Sequence, residues 1–223
     1  MKKYSILLFL VFSCNINQEN FEISGNINGL KNGVIYLIES NSIEQEIILD
    51  STTVDSSSSF LLKGYIKKPQ ILKVRLGESN TNEIEFFAEI GEMKLNTSNK
   101  RFQFDAQFSG SRYQENLDKF NSFLVKYEEE DLELLEKQIE ESMKNNQKSI
   151  DSISILRDKI EKKKILFIIN YIKNKKEEII SPYLALKYNK DIKKDYLLKI
   201  YNSYSKEISN SKYGIELNKI INK

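Results

Sequence analysis

Side chains able to do chemistry are scarce in this sequence, and their types decide which reactions stay open. Among 223 residues there is no histidine and a single cysteine, Cys14. That excludes Cys/His zinc sites and Ser-His-Asp or Cys-His catalysis, and it excludes thiol-disulfide exchange within one chain, which requires a second thiol to resolve the mixed disulfide. What remains is a serine beside a lysine, or paired carboxylates. Ser203 and Lys206 have the Ser-x-x-Lys spacing of such a dyad. They lie in a tyrosine-rich stretch with helical periodicity and no companion motif, so a solvated helix face is expected. The acids Glu128-Glu129-Glu130-Asp131 could attract a cation, yet consecutive residues point around a helix instead of converging. Tyr196, Tyr201 and Tyr204 could stack on a sugar or a peptide, with helix core and interface rim as the alternative reading. No catalytic residue, metal ligand or cofactor is expected.

Cys14 carries the clearest chemistry because of what precedes it. Lys2 and Lys3 open the chain, Ile6 to Phe12 form a seven-residue apolar run, and Ser13 is small. The run is far below the roughly 20 apolar residues of a membrane-spanning helix. The stretch resembles a bacterial lipoprotein signal with its lipobox, although Phe12 is bulkier than the residue usual at that place. The resemblance implies cleavage after Ser13 and a diacylglyceryl thioether on Cys14, the thiol being the nucleophile. At about 0.8 kcal/mol per buried methylene, the two or three acyl chains of such an anchor hold permanently where one chain would not. An ordinary secretory signal with an incidental cysteine is the plainer alternative.

Composition bounds the partners. Without residues 1–13 the 34 basic residues become 32, equal to the 32 acids, so the mature chain is formally neutral and no nucleic-acid partner is indicated. Residues 14–110 hold 9 bases and 13 acids, residues 111–223 hold 23 and 19, a split too mild to name a ligand.

The elements that position these residues fall into two kinds. Seven of the eight glycines precede residue 111, punctuating short apolar runs, while the long stretch beyond it is rich in Glu, Lys, Leu and Ile. We divide the sequence into a signal peptide (1–13), a lipidated tether (14–20), a strand domain (21–110) and a helical domain (111–223). From Phe21 to Ile27 the alternate residues are apolar apart from Gly25, the period of a half-buried strand. Further strands are expected over 34–38, 47–54, 60–66, 71–76, 83–90, 93–95 and 102–108, with 47–54 and 60–66 as a hairpin across Ser56 to Ser59. The predicted fold class is α+β: an antiparallel β-sandwich or partly closed barrel followed by helices.

The order Phe21-x-Ile-x-Gly-x-Ile-x-Gly, Val34-Ile35-Tyr36-Leu37, Asp50-Ser51, Phe60-x-x-x-Gly64, Pro69, Phe86-Phe87-Ala88-Glu89-Ile90-Gly91 and Phe108-Ser109-Gly110-Ser111 resembles domain of unknown function 4369. The likeness covers about residues 21–112. It departs where Ser57-Ser58-Ser59 replaces the family's Asp-Gly-like turn. The resemblance implies a Bacteroidota lipoprotein module, commonly placed ahead of a thioredoxin-like domain. Ser181-Pro182 through Tyr213-Gly214-Ile215-Glu216-Leu217 resembles the helical linker before that domain, and the domain itself, with its Cys-x-x-Cys, is expected to be lacking. Asp50-Ser51-Thr52 and Asp151-Ser152-Ile153 also resemble the Bacteroidota O-glycosylation acceptor. Surface-exposed lipoproteins of that group tend to carry an acidic cluster after the cysteine. Residues 15–20 hold one acid, Glu19, so a periplasm-facing protein is expected.

In the helical half, Leu117, Phe120, Leu124, Tyr127, Leu135, Ile139 and Met143 recur at three- to four-residue steps, interrupted once by the acids at 128–131. Asn145-Asn146 is the expected stop. A second helix through Ile150, Ile153, Leu156, Ile160 and Ile165 to Ile169 should pair with the first as an antiparallel hairpin. Ser181 is the expected cap of a short helix, with Pro182 at its first position, and Asp191 the cap of the next, with Ile192, Tyr196, Leu197, Ile200, Tyr204 and Ile208 on one face.

Together these residues predict a lipid-anchored envelope protein acting as a non-enzymatic binding or interaction module, for a protein partner in the periplasm or for a sugar or peptide. An accessory component of a thioredoxin-like disulfide-reductase system, acting with a catalytic domain supplied in trans, is the second expectation. A carboxylate hydrolase has little support.

Overall fold

The computed structural model describes residues 19–42 and 45–222. Among the described residues eight strands come first, in two four-stranded sheets, and six helices follow, an α+β arrangement. The strands are β1 (Phe21–Asn28), β2 (Gly33–Ser42), β3 (Gln45–Val54), β4 (Ser59–Gly64), β5 (Gln70–Leu76), β6 (Glu83–Ala88), β7 (Gly91–Ser98) and β8 (Gln107–Ser109). One sheet has the order β4-β1-β7-β8 and the other β3-β2-β5-β6; the sheets stay open, so the barrel alternative falls away.

The period-two pattern of β1 does what it predicts. Phe21, Ile23 and Ile27 are buried, and the one break in the pattern, Gly25, lies beside β7. A Cβ there would sit 1.7 Å from the Leu95 carbonyl oxygen, so only glycine fits. That close approach belongs to a parallel pair, Phe21 facing Gly91 and Asn28 facing Ser98. The sheet is therefore mixed where an antiparallel one was expected.

Two local expectations are overturned. The strands around Ser56 to Ser59 do not form a hairpin: β4 pairs antiparallel with β1, and β3 pairs with β2. The serine turn instead carries the chain from one sheet to the other. Asp55 Oδ1 accepts the Ser57 N–H at 2.8 Å, Ser58 takes φ 59°, and its hydroxyl donates to the Leu30 carbonyl at 2.6 Å. Residues 102–108 do not form one strand either. Ser98 Oγ accepts the Arg101 N–H and donates to Asp105, the Phe104 and Asp105 N–H groups both reach the Arg101 carbonyl, and Thr97 Oγ donates to the Phe102 carbonyl. These bonds wind the segment into turns that bury Phe102 and leave Phe104 79% exposed, and only β8 stays extended.

By packing, residues 69–71, 86–89 and 108–223 form one compact unit, and most of the strand residues form another. The helical unit begins with α1 (Arg112–Met143), which follows Gly110 at φ +95° and is capped by Ser111, whose Oγ accepts the Gln114 N–H at 3.1 Å. α2 (Gln147–Asn174) returns antiparallel. Asn145 takes φ 54° and Asn146 caps α2, the expected stop. Then come α3 (Ile180–Lys187), α4 (Lys194–Tyr201), α5 (Lys206–Ser209) and α6 (Lys212–Ile221).

Neither expected cap in this region acts as one. Ser181 lies inside α3, fully buried, and its hydroxyl donates to the Ile172 carbonyl at 2.8 Å. Pro182 still falls in the first turn, where no amide bond is lost. α4 starts at Lys194 after Lys193, without a side-chain cap, so Asp191 stands too early. The expected single face through Ile208 is broken up: Ile192 precedes α4, Tyr196, Leu197 and Ile200 lie on it, Tyr204 is in the turn that follows and Ile208 is in α5.

Candidate functional site

Phe87 is the hub of the helical unit, and no periodicity in the sequence points to it. Its ring is fully buried and meets Tyr113 stacked at 5.5 Å, Tyr183 edge-on at 5.7 Å and Tyr213 edge-on at 6.3 Å. Its backbone is held on both sides: the N–H donates to Gln114 Oε1 at 2.6 Å and the carbonyl accepts from Ser111 Oγ at 3.1 Å. Within the same unit the Tyr213 hydroxyl accepts the Ile71 N–H at 2.6 Å. The Ser111 and Tyr213 hydroxyls and the Gln114 amide each satisfy a backbone group, so the cluster acts as a clasp on the backbone.

The three candidate tyrosines divide into a pair and a single. Tyr201 and Tyr204 meet edge-on at 6.1 Å and pack against the helical core. Tyr204 lies in the turn after α4, 3.0 Å from the Ser181 hydroxyl, and burial pushes its phenol well above the usual tyrosine range against the pull of that bond. Tyr196, on α4, is 49% exposed, with the Lys199 ammonium 5.8 Å from its ring centroid.

The other candidates serve the backbone or face solvent. Ser203 Oγ donates to the Ile200 carbonyl at 2.6 Å as part of the turn that ends α4, and Lys206 opens α5. Of the acids at 128–131, Asp131 is paired with Arg157 through two bonds of 2.8 and 2.9 Å, which hold its carboxyl below the usual range, while Glu128 to Glu130 are exposed. Asp50 accepts the Ser51 and Lys63 N–H groups, each at 2.8 Å, and Ser51 is exposed. Ser152 Oγ donates to the Lys148 carbonyl at 2.9 Å. Cys14 lies outside the described residues.

Sequence reasoning also missed a charge cluster on the strand unit. Lys73 and Arg75 of β5 face Glu83 of β6 and Glu46 of β3, with Lys73 to Glu83 at 2.8 Å. Burial opposes the Lys73 charge, but the contacts with Glu83 and Glu46 leave its pKa raised, and the bond from Arg75 lowers that of Glu46. Positives and negatives are matched two against two, which closes the cluster on itself. Among the described residues no group of three or more His, Cys, Asp or Glu could hold a metal ion, and no helix is long and apolar enough to cross a membrane. Among the described residues, two of the surface depressions are open ones. One, of about 470 Å³, is lined by Lys137, Glu140, Glu141, Lys148, Ser149, Ser152 and Ile153. The other, of about 350 Å³, lies along residues 99–104 beside Asn82.

The fold thus defines a class: two open four-stranded sheets, one of them mixed, followed by a helical region. Residues 21–117 match the family model described as Domain of unknown function (DUF4369), so a DUF4369 domain spans β1 to the start of α1. No curated protein and no solved structure matches the chain.

Proposed function

We propose that the protein is a lipid-anchored component of the cell envelope, tethered through Cys14 and facing the periplasm, that holds a partner protein against its helical unit without catalysing a reaction. The observation that carries this reading is the setting of Tyr196. A half-exposed ring with a cation over its face, mounted on a helix whose Leu197 and Ile200 are buried, is a rigid contact of the kind enriched at interfaces. Tyr201 and Tyr204 support that helix from the core side.

A photo-crosslinking residue in place of Tyr196, in the full-length protein in its native envelope, should give one discrete protein adduct. The same residue in place of Ile47, exposed on β3, should not. Equal adducts from both positions, or none from position 196, would refute the reading. The anchor is tested separately: a fatty-acid analogue should label the wild type and not Cys14→Ser, and equal labelling of both would end that part. One alternative, which rests on the resemblance to lipoproteins that carry a DUF4369 domain ahead of a thioredoxin-like one, is an accessory role in a thioredoxin-like disulfide-reductase system. An adduct containing a Cys-x-x-Cys protein would select it.

A further inference from the structure

The α1–α2 hairpin is two different structures along its length. Near its base, Leu117, Phe120 and Leu124 of α1 and Ile160, Ile168, Ile169 and Ile172 of α2 are buried. Between them, from Val125 to Lys159, not one residue is buried. A helix pair of this length draws its stability from tertiary packing more than from propensity, and here two helices pack together without burying any residue of this span. The pair is pinned internally by Arg157, which bonds Asp131 and, at 3.0 Å, Gln138. Large apolar side chains nevertheless face outward. Leu132 is 54% exposed and Met143 79%.

These outward residues are ordered by helix geometry. On α1, Val125, Leu132 and Ile139 are spaced by seven, with Met143 four further on, so they share one edge. Glutamates 128, 129, 136 and 140 stand three or four residues from members of that edge, all exposed. On α2 the exposed Leu156 and Leu166 are flanked at the same spacings by the exposed Lys159, Lys162 and Lys163, while the exposed Ile155 has Lys159 together with the exposed Asp151 and Asp158. Residues 128–143 hold eight acids and one base, and residues 147–164 hold six bases and three acids. One helix of the arm carries an acid-rimmed apolar edge, and the other a lysine-rimmed one around Leu156 and Leu166.

We propose that this arm is a docking face for a second copy of the same chain, the acidic edge of α1 seated on the lysine edge of α2 of the other copy. A twofold arrangement makes both contacts at once, because each copy carries both edges. The complementary charge selects this occupant. An anionic lipid surface would suit α2 and repel the α1 edge beside it, whereas another copy satisfies both. An arm about 27 Å long and two helices wide offers each copy a face near the lower end of specific interfaces, so association in the micromolar range is expected.

The test uses full-length protein bearing two different tags in one cell, extracted in mild detergent. Wild-type copies should co-purify. Glu129→Lys, Glu136→Lys and Glu140→Lys together, in both copies, should cut recovery about tenfold or more, and so should Lys159→Glu, Lys162→Glu and Lys163→Glu. All six changes in one chain should restore recovery to within about threefold of wild type, which a misfolded variant could not do, and should lose recovery of a wild-type copy. Wild-type copies that do not co-purify, or unchanged recovery in either triple variant, would overturn the proposal. So would a lysine variant that leaves anionic vesicles while self-recovery stays intact, since the arm would then be a membrane contact.

Discussion

Replacing Phe87 by alanine isolates the ring at the centre of the helical clasp. The two hydrogen bonds at this residue use its backbone N–H and carbonyl, so they survive the change, and only the side chain is lost. The ring is fully buried and touches three tyrosine rings. A buried Phe→Ala change costs about 3–5 kcal/mol, and three aromatic contacts of about 0.5–1.5 kcal/mol each place this site in the upper half, near 4 kcal/mol. Against a typical domain stability of about 5–15 kcal/mol the variant stays folded, with its folded-to-unfolded ratio down roughly a thousandfold. At a urea slope of about 2 kcal/mol per molar the unfolding midpoint should fall by about 2 M. Far-ultraviolet ellipticity in a urea titration reads this through the helices. Phe87→Leu, which refills most of the space, should lose about 1.5 kcal/mol or less. A midpoint shift below roughly 0.5 M for Phe87→Ala would refute the hub, because no relaxation of the three tyrosines recovers that much.

Gly25→Ala should prevent β1 from pairing with β7, since its methyl would overlap the Leu95 carbonyl; proteolysis of the strand region at room temperature should rise sharply, and a variant as resistant as wild type would refute the close approach. Tyr204→Phe keeps the ring and removes the hydroxyl facing Ser181, costing about 1 kcal/mol at pH 8 in a urea titration. Burial raises the Tyr204 pKa above its ordinary value of 10.0, so above pH 10 the unfolded wild-type chain releases this proton first and the fold loses stability. The wild-type advantage over Tyr204→Phe should therefore shrink as pH rises past 10, and a constant or widening gap would contradict the burial.

What was legible in the sequence was periodicity. The strands from β1 to β7 and the two long helices repeat at their own spacing, and Asn145-Asn146 marks the turn between the helices. What was not legible depended on which groups a polar side chain would find. Phe102, Phe104 and Phe108 alternate like a strand, but Ser98 and Thr97 offer the backbone a turn and win. The serine turn before Phe60 has hairpin length, yet Asp50 and Ser58 bind Lys63 and Leu30 and the chain changes sheets. Ser181 has the composition of a cap and spends its hydroxyl on Ile172 instead. Tyr204 repeats with α4 and lies in the turn after it. For the candidate site the sequence named Tyr196 for its type, but could not separate it from Tyr201 and Tyr204, because exposure is set by packing that periodicity does not encode. The charge sorting of the arm was present in the letters of residues 128–164 and gained meaning only once residues 125–159 proved to contain no buried residue.

The parallel pairing of β1 with β7 has a kinetic consequence. Phe21 meets Gly91, seventy residues along the chain, whereas α1 and α2 are joined by a three-residue turn. Local contacts close quickly and distant ones late, so the hairpin should assemble well before the central strand of the sheet has both neighbours. β4 reaches β1 first, Gly64 facing Phe21, and covers one edge. The other edge stays open until the chain through Ser98 is available, and an open strand edge pairs readily with another molecule. Refolding yield should then fall with protein concentration during that interval, and the loss should trace to the first strand the chain makes rather than to its long helices.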